Sequence, residues 1–157
     1  EGLFPADWTA RGLMQDEVGG PVRKRRRFVP DAAPTDASGE WAATRFRRLA
    51  AGGGISLVEA VPETGRLHQI RATLLALGFP VVGDKLYGTD PTRFLRFCRG
   101  GLTDDDRTAL RMERQALHAA SLRLRYPATE RWVEWEAPLP ADMRVEMQRI
   151  GLEAPTA

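Results

Sequence analysis

The residues best suited to chemistry lie between positions 63 and 71, in the order Glu-Thr-Gly-Arg-Leu-His-Gln-Ile-Arg. This stretch joins a predicted strand to a predicted helix, and Arg66, His68 and Arg71 fall in the first helical turns. A helix N-terminus is partly positive and favours acidic side chains, so a local rule is broken here, as often happens at functional sites. Donors gathered at a helix N-terminus suit a phosphate or carboxylate, and the Gln69 amide could hydrogen-bond a base edge.

The same residues also have ordinary structural explanations. His68 could be a surface or capped histidine, and Arg71 could form an ion pair with Glu63 or Glu59. Spacing alone leaves the anion-binding and the structural interpretations open. No Gly-rich phosphate loop of the dinucleotide or nucleotide-triphosphate type is present, and Cys98, the single cysteine, has no metal-site spacing around it.

Composition is typical of a soluble globular domain, with 157 residues, 43% of them hydrophobic and 28% charged. No apolar run approaches the roughly 20 residues that span a bilayer, so we expect no membrane partner. One cysteine excludes an internal disulfide and favours the reducing cytoplasm as the location. Because the chain starts at Glu1 without an initiator Met, we expect a truncated or processed piece of a longer protein.

Basic side chains are concentrated rather than spread evenly. The net charge is only +2, yet residues 23–27 form an unbroken basic run, and Arg45, Arg47 and Arg48 follow it. Such clusters attract phosphate backbones, although a solvated, flexible arm is an equally simple interpretation.

The pattern of apolar residues predicts antiparallel strands with helices between them. Residues 1–40 lack periodicity and are predicted to be irregular, with short strands around Leu13 and Phe28. Strands are predicted at residues 41–49, 55–61, 122–126 and 132–136, paired as two hairpins. Helices are predicted at residues 67–77, with Thr64 as N-cap, from Asp90, from residue 103 to about 115, and from residue 140. The predicted class is α+β with a mainly antiparallel mixed sheet.

Four sequence blocks resemble, in order, the motifs of RNA pseudouridine synthases of the large-subunit-rRNA (RluA-like) type. They are Gly-Arg-Leu-His-Gln-Ile-Arg at 65–71, Gly-Phe-Pro-Val-Val-Gly-Asp-Lys-Leu-Tyr-Gly at 78–88, Gln-Ala-Leu-His-Ala at 115–119 and Glu-Ala-Pro-Leu-Pro at 136–140. Each block is modest alone, but four in family order are specific. The resemblance covers about residues 55–142 and implies the C-terminal portion of that catalytic domain.

The resemblance implies a reaction and roles for several residues. Such enzymes isomerise uridine to pseudouridine in structured RNA, with rRNA the default substrate and tRNA an alternative, and they need no cofactor and no metal. By position, Arg71 is the arginine that pairs with the family's essential aspartate. Arg66 and His68 would contact RNA phosphate or order the loop, and Gln69 would bind substrate. Leu117 would pack beneath the uracil or simply belong to the core.

This sequence departs from the family pattern at one essential position. The Arg-Leu-Asp segment that carries the catalytic aspartate does not occur in the chain, so we expect that residue upstream and this chain alone to be inactive. Leu67 stands where the family has Thr. Asp84, Tyr87 and His118 are expected to be structural. The alternative is a non-catalytic RNA-binding module derived from the family, and a purely structural domain has no positive support.

The resemblance also implies an incomplete domain. We interpret residues 1–157 as one partial domain, with an irregular basic segment at 1–40 and the motif-bearing part at 41–157. Such a domain should expose a strand edge or an apolar face, covered by the missing N-terminal part or by a second chain. Trp132 and Trp135 lie on opposite faces of one predicted strand, so at least one is a candidate for that exposed face.

Overall fold

The computed structural model describes residues 1–23 and 25–153. Its elements, in chain order, are β1 (Asp7–Asp16), β2 (Arg26–Pro30), β3 (Glu40–Gly52), β4 (Ile55–Pro62), α1 (Gln69–Ala76), α2 (Arg93–Cys98), α3 (Asp104–Leu110), β5 (Ser121–Arg125), β6 (Trp132–Glu136) and α4 (Ala141–Arg149). Every strand pairing is antiparallel, which confirms the predicted α+β class. Across this described part, no helix is both long enough and apolar enough to cross a membrane.

A four-stranded sheet in the order β2-β1-β3-β4 forms the base of the molecule. Strand β1 lies inside this sheet, where Met14 pairs with Phe28 of β2 and Trp8 pairs with Phe46 of β3. The short strands predicted around Leu13 and Phe28 are confirmed as β1 and β2, but β1 is ten residues long, so residues 1–40 are less irregular than the sequence predicts. Close strand packing needs Gly12, because a Cβ there would lie 2.1 Å from the carbonyl oxygen of Val29.

The hairpin of β3 and β4 confirms the prediction for residues 41–61, with β3 extending further, to Gly52. Gly53 and Gly54 make the turn at φ values of 56° and 73°, a region that residues with a Cβ adopt at a cost. A register shift between Arg48 and Ala50 interrupts the pairing of the two strands. Strand β4 ends at Pro62, and the loop at residues 63–68, which belongs to the 63–71 stretch, leads from it to α1.

The hydrophobic core lies between the sheet and α1. The rings of Phe4 and Phe46 form a tilted pair with centroids 5.6 Å apart, and Phe4 packs edge-on against Phe79 at 4.9 Å. Ala72 and Leu74 of α1 pack against this cluster. The other buried members of the core cluster are Ala10, Met14, Phe28, Ala42, Leu86 and Tyr87. Burial of one helix face fixes the orientation of the residues on the helix that face the site.

Two predicted helix ends are wrong. Helix α1 begins at Gln69, and its N-cap is His68, with φ 58°, rather than Thr64. Thr64 instead accepts a hydrogen bond from the backbone N–H of Ala43 at 3.1 Å. Helix α3 begins with a capping box between Thr103 and Asp106, as its sequence favours, but ends at Leu110 rather than near residue 115.

Strands β5 and β6 form a separate two-stranded sheet with large apolar side chains in solvent. Leu122 is 57% exposed, Trp132 64% and Trp135 45%. The predicted half-buried strand is therefore wrong for Leu122, and both tryptophans are exposed. The expected exposed apolar face is formed by Leu122 and Trp135, which pair across the hairpin, while Trp132 lies on the opposite face.

Candidate active site

Arg71 forms a two-pronged ion pair with Asp84. Its Nε donates to Oδ2 of Asp84 at 2.6 Å and its Nη2 donates to Oδ1 at 2.7 Å. The Asp84 side chain is fully buried, and that of Arg71 is 15% exposed. The carboxylate partner of Arg71 within this chain is thus Asp84, and neither Glu59 nor Glu63.

A sharp turn brings Asp84 beneath α1. Gly83 adopts φ 74°, and a Cβ at that position would lie 2.1 Å from the carbonyl oxygen of Arg114. Only glycine fits such a contact without moving the backbone. Oδ1 of Asp84 then accepts the backbone N–H groups of Leu86 at 3.0 Å and Tyr87 at 2.8 Å. The loop that contains Asp84 therefore holds its own carboxylate in place.

Asp84 favours the charged form of the Arg71 side chain. Burial lowers the pKa of Arg71, but the hydrogen bonds and the negative charge of Asp84 outweigh burial and hold the pKa above its ordinary value. A guanidinium carries five N–H donors, and Asp84 occupies those of Nε and one of Nη2. Among the described residues, none accepts a hydrogen bond from Nη1 of Arg71. The arginine can therefore bind a second anion without leaving Asp84.

Tyr87 is buried beneath two guanidinium groups. The Cζ atom of Arg71 lies 4.9 Å from the ring centroid, and that of Arg25 lies 5.5 Å from it. Its hydroxyl accepts the backbone N–H of Arg26 at 2.8 Å and lies 3.0 Å from Nδ1 of His68. Burial raises the pKa of Tyr87, so the hydroxyl stays protonated at neutral pH. Tyr87 thereby links β2 to the start of α1.

His68 is half-buried and is the residue at which the chain turns into α1. Burial, followed by the positive charge of Arg71, lowers the pKa of His68 below 6.5. The imidazole is therefore neutral at pH 7, and Nδ1 can accept the proton of the Tyr87 hydroxyl. Nε2 then carries the remaining N–H donor of the ring.

The Gln69 amide is fully used within the protein. Its Oε1 accepts from the Thr64 hydroxyl at 2.8 Å and from the Arg66 backbone N–H at 2.9 Å. Its Nε2 donates to the Ala43 carbonyl at 3.0 Å and to the Thr44 hydroxyl at 2.9 Å. The structure does not support Gln69 as a substrate-binding residue. It gives Gln69 the role of tying the loop before α1 to β3.

Known proteins similar to this chain share one activity in their names. An uncharacterized RNA pseudouridine synthase of Chloroflexus aurantiacus is 38% identical over 141 residues, which are 88% of this chain and 37% of that protein. The ribosomal large subunit pseudouridine synthase D of Nitrosomonas europaea is 39% identical over 144 residues, 88% of this chain and 36% of that protein. The chain belongs to the RNA pseudouridine synthase family.

A solved structure agrees with this membership at the level of the fold. Human RNA pseudouridylate synthase domain containing 4 superposes with a TM-score of 0.67 at 22% identity, over 97% of this chain and 59% of that one. No protein-family model matches the chain. The chain spans about two fifths of the length of the curated relatives it matches, with values of 37% and 36% for the two named above.

Arg66 and Leu117, the other predicted site residues of this pseudouridine synthase chain, lie at the surface. The Arg66 Nε donates to the Trp41 carbonyl at 3.0 Å, and its Nη1 lies 3.5 Å from a Glu40 oxygen. Leu117 is 37% exposed, on a loop that is held to the 81–84 turn by a 2.7 Å hydrogen bond from Ala116 N–H to the Val82 carbonyl. Both remain predictions for substrate contact. His118 donates from Nε2 to the carbonyl of Ala137 at 3.0 Å, within the Glu-Ala-Pro-Leu-Pro block at 136–140.

Two arginines of the basic run at residues 23–27 form ion pairs with other residues of this pseudouridine synthase chain. Arg26 pairs with Asp16 at 3.0 Å and with Glu40 at 2.8 Å, and Arg25 lies 3.2 Å from Glu17. The interpretation as a flexible arm is therefore wrong for these two arginines. Lys24 lies outside the described residues. Within the described ranges, no group of three or more His, Cys, Asp or Glu side chains could hold a metal ion.

Proposed function

We propose that the complete protein isomerises uridine to pseudouridine in structured RNA, and that this chain supplies the arginine of the active site. The observation that carries the proposal is the geometry of Arg71. Its guanidinium is fixed by Asp84 along one edge, and no described residue binds its Nη1. That free group suits a second carboxylate. An aspartate in an Arg-Leu-Asp segment, which this chain lacks, is the partner that the family provides.

The reaction moves one bond and one proton. The bond between C1′ of the ribose and N1 of uracil breaks, the base turns, and a bond between C1′ and C5 forms. C5 loses its proton, and N1 gains one. The incoming carboxylate must be ionised, and a guanidinium beside it keeps its pKa low and fixes its direction. Arg71 can perform both tasks through Nη1 while Asp84 holds its opposite edge.

We propose rRNA as the substrate, with tRNA as the alternative. A relative is named for the large ribosomal subunit, which supports the choice of rRNA. The target base must leave its stack to reach an enclosed site, so phosphate contacts and an apolar platform are required. Arg66 and His68 are proposed to contact phosphate or order the loop, and Leu117 to pack beneath the base.

The exposed face of β5 and β6 suits the remaining part of the protein. Leu122 and Trp135, which pair across the hairpin, present on one face apolar surface that a single solvated hairpin would not keep. We propose that the preceding part of the protein, or a second chain, covers it. We also propose a cytoplasmic location, since the exposed thiol of Cys98 suits a reducing compartment.

The proposal is tested by mapping pseudouridine in RNA treated with the complete protein. Large-subunit rRNA and tRNA that lack the modification are incubated separately with wild-type protein and with Arg71→Lys. We expect new pseudouridine in rRNA with wild-type protein and about a hundredfold slower formation with Arg71→Lys, because lysine cannot bind two carboxylates in a fork. Modification of tRNA alone would overturn the choice of rRNA. Tight RNA binding without any pseudouridine would instead favour the non-catalytic module.

A further inference from the structure

We propose that Asp84 is a positioning residue, which orients Arg71 so that Nη1 faces the site of the second carboxylate. The proposal rests on the function proposed above. It assigns to Asp84 more than the structural role expected from sequence.

The carboxylate of Asp84 is a rigid anchor. It is fully buried and accepts hydrogen bonds from two backbone N–H groups of its own loop, at 3.0 Å and 2.8 Å. These bonds keep its two oxygens in place, whether or not a ligand is bound. Because the loop turns through Gly83, where no Cβ fits, the anchor cannot shift without moving the loop.

The guanidinium of Arg71 is planar, so two hydrogen bonds to one carboxylate fix both its position and its rotation. The ring of Tyr87, 4.9 Å from Cζ of Arg71, adds a surface against which the plane lies. The orientation of Nη1 thus follows from Asp84 and Tyr87. The guanidinium of Arg71 is therefore already oriented to bind a second anion when that anion is absent.

A second two-pronged ion pair in the same chain, between half-buried Arg96 and buried Asp106, shows what a purely structural arginine looks like. Arg96 binds Asp106 through Nε at 2.7 Å and through Nη2 at 2.5 Å. Its Nη2 also donates to Asp90 at 2.6 Å, and its Nη1 donates to the Thr92 hydroxyl at 2.6 Å. Every nitrogen of Arg96 therefore has an acceptor inside the chain. Arg71 differs because its Nη1 has none among the described residues.

Loss of Asp84 would weaken the fold as well as the orientation of Arg71, so activity must be measured against a matched control. Asp84→Asn keeps an oxygen for the two backbone N–H groups and loses the charge and one of the two acceptors for Arg71. Asp106→Asn removes the charge of the other buried aspartate that binds an arginine through two nitrogens, and it leaves the Arg71–Asp84 pair unchanged. Both variants are used in the complete protein, well below their unfolding midpoints.

Tritium release from RNA labelled at uridine C5 separates the two roles. We expect kcat of Asp84→Asn to fall about a hundredfold with KM for RNA changed less than about twofold, because misplacement by about 1 Å affects the chemical step. Asp106→Asn should keep kcat within about twofold of wild type. The proposal is overturned if Asp84→Asn keeps its kcat, or if both variants lose the same fraction of it.

A spectroscopic measurement tests the orientation without any catalysis. With ¹⁵N-labelled arginine, the Nε–H resonance of Arg71 is assigned by its disappearance in Arg71→Lys. We expect slow exchange of this proton with water in wild-type protein and at least tenfold faster exchange in folded Asp84→Asn. Unchanged exchange would overturn the positioning role. If wild-type protein modifies no RNA while this resonance behaves as expected, the proposed function fails and the positioning of Arg71 stands.

Discussion

The Asp84 carboxylate binds Arg71 through hydrogen bonds of 2.6 Å and 2.7 Å across a separation of 13 residues. One partner lies on α1, and the other lies in the loop that follows it. Two charged groups removed from water lose hydration, so the pair is costly unless each remaining polar atom is satisfied. Asp84 meets that condition because it accepts hydrogen bonds from two backbone N–H groups. Nη1 of Arg71, in contrast, has no acceptor among the described residues. The central residue of the site is therefore Arg71, whose Nε and Nη2 are bound to Asp84.

Breaking the ion pair from one side should be more harmful than removing both charges. We expect Arg71→Met to lower the free energy of unfolding by about 3–5 kcal/mol, because it leaves the Asp84 charge buried without a partner. The double variant Arg71→Met/Asp84→Asn should be more stable than Arg71→Met alone. Urea unfolding of the wild type, both single variants and the double variant measures this coupling. Additive losses would mean that the two charges do not interact.

Replacement of Tyr87 by Phe should loosen strand β2. The variant leaves the half-buried backbone N–H of Arg26 without its acceptor, at a cost of about 1 kcal/mol. Amide hydrogen exchange is the direct measurement. We expect the Arg26 amide to exchange at least tenfold faster in Tyr87→Phe, while amides of α4, far from the hydroxyl, keep their rates. Equal protection of Arg26 in both proteins would contradict the assigned hydrogen bond.

Gly83 and Gly78 offer a matched pair of substitutions by alanine. Gly83 and Gly78 have positive φ values, 74° and 85°. Alanine at either position should therefore lower the free energy of unfolding by about 1–2 kcal/mol through strain in the left-handed backbone conformation. Only at Gly83 would the added Cβ meet backbone, 2.1 Å from the Arg114 carbonyl oxygen, whereas nothing lies within 4 Å at Gly78. Thermal unfolding should therefore show a clearly larger loss for Gly83→Ala. Equal losses would mean that the close approach to Arg114 relaxes freely.

The lowered pKa of His68 makes stability depend on pH in a defined direction. Burial and the charge of Arg71 disfavour the imidazolium in the folded state, so the unfolded state binds more protons between the two pKa values. The contribution is fully present above the ordinary pKa of about 6.5 and is lost as pH falls through the lower folded pKa. His68→Asn, which tolerates the positive φ, removes this titration. Unfolding free energies measured from pH 5 to 8 should fall less steeply toward acid in His68→Asn, and parallel curves would contradict the shift.

The secondary-structure elements that were predicted correctly are those determined by the local sequence pattern. Alternating side chains and paired glycines sufficed for the β3–β4 hairpin, and the β5–β6 hairpin followed from the same alternation. Strand β1 was predicted only as a short strand around Leu13, because adjacent Leu13 and Met14 are both fully buried and no alternation marks its full length from Asp7 to Asp16.

Within the candidate site, the sequence identified Arg71 but not its partner in this chain. The pairing with Asp84 depends on the turn at Gly83, and the start of α1 depends on the positive φ of His68, and neither follows from residue preferences. The occupied amide of Gln69 likewise requires four contacts that only the folded chain provides. The block Gly-Asp-Lys-Leu-Tyr-Gly at 83–88 held the one available clue, since it contains both Asp84 and Tyr87.

The most direct test of the central claim is tritium release from RNA labelled at uridine C5, measured with this chain alone and with the complete protein. If the chain supplies the arginine and another segment supplies the carboxylate, the chain alone releases no tritium even at high concentration. The complete protein then releases it, and Arg71→Ala in the complete protein abolishes the release. Release by the chain alone would contradict the account, because a carboxylate within residues 1–157 would then perform the reaction.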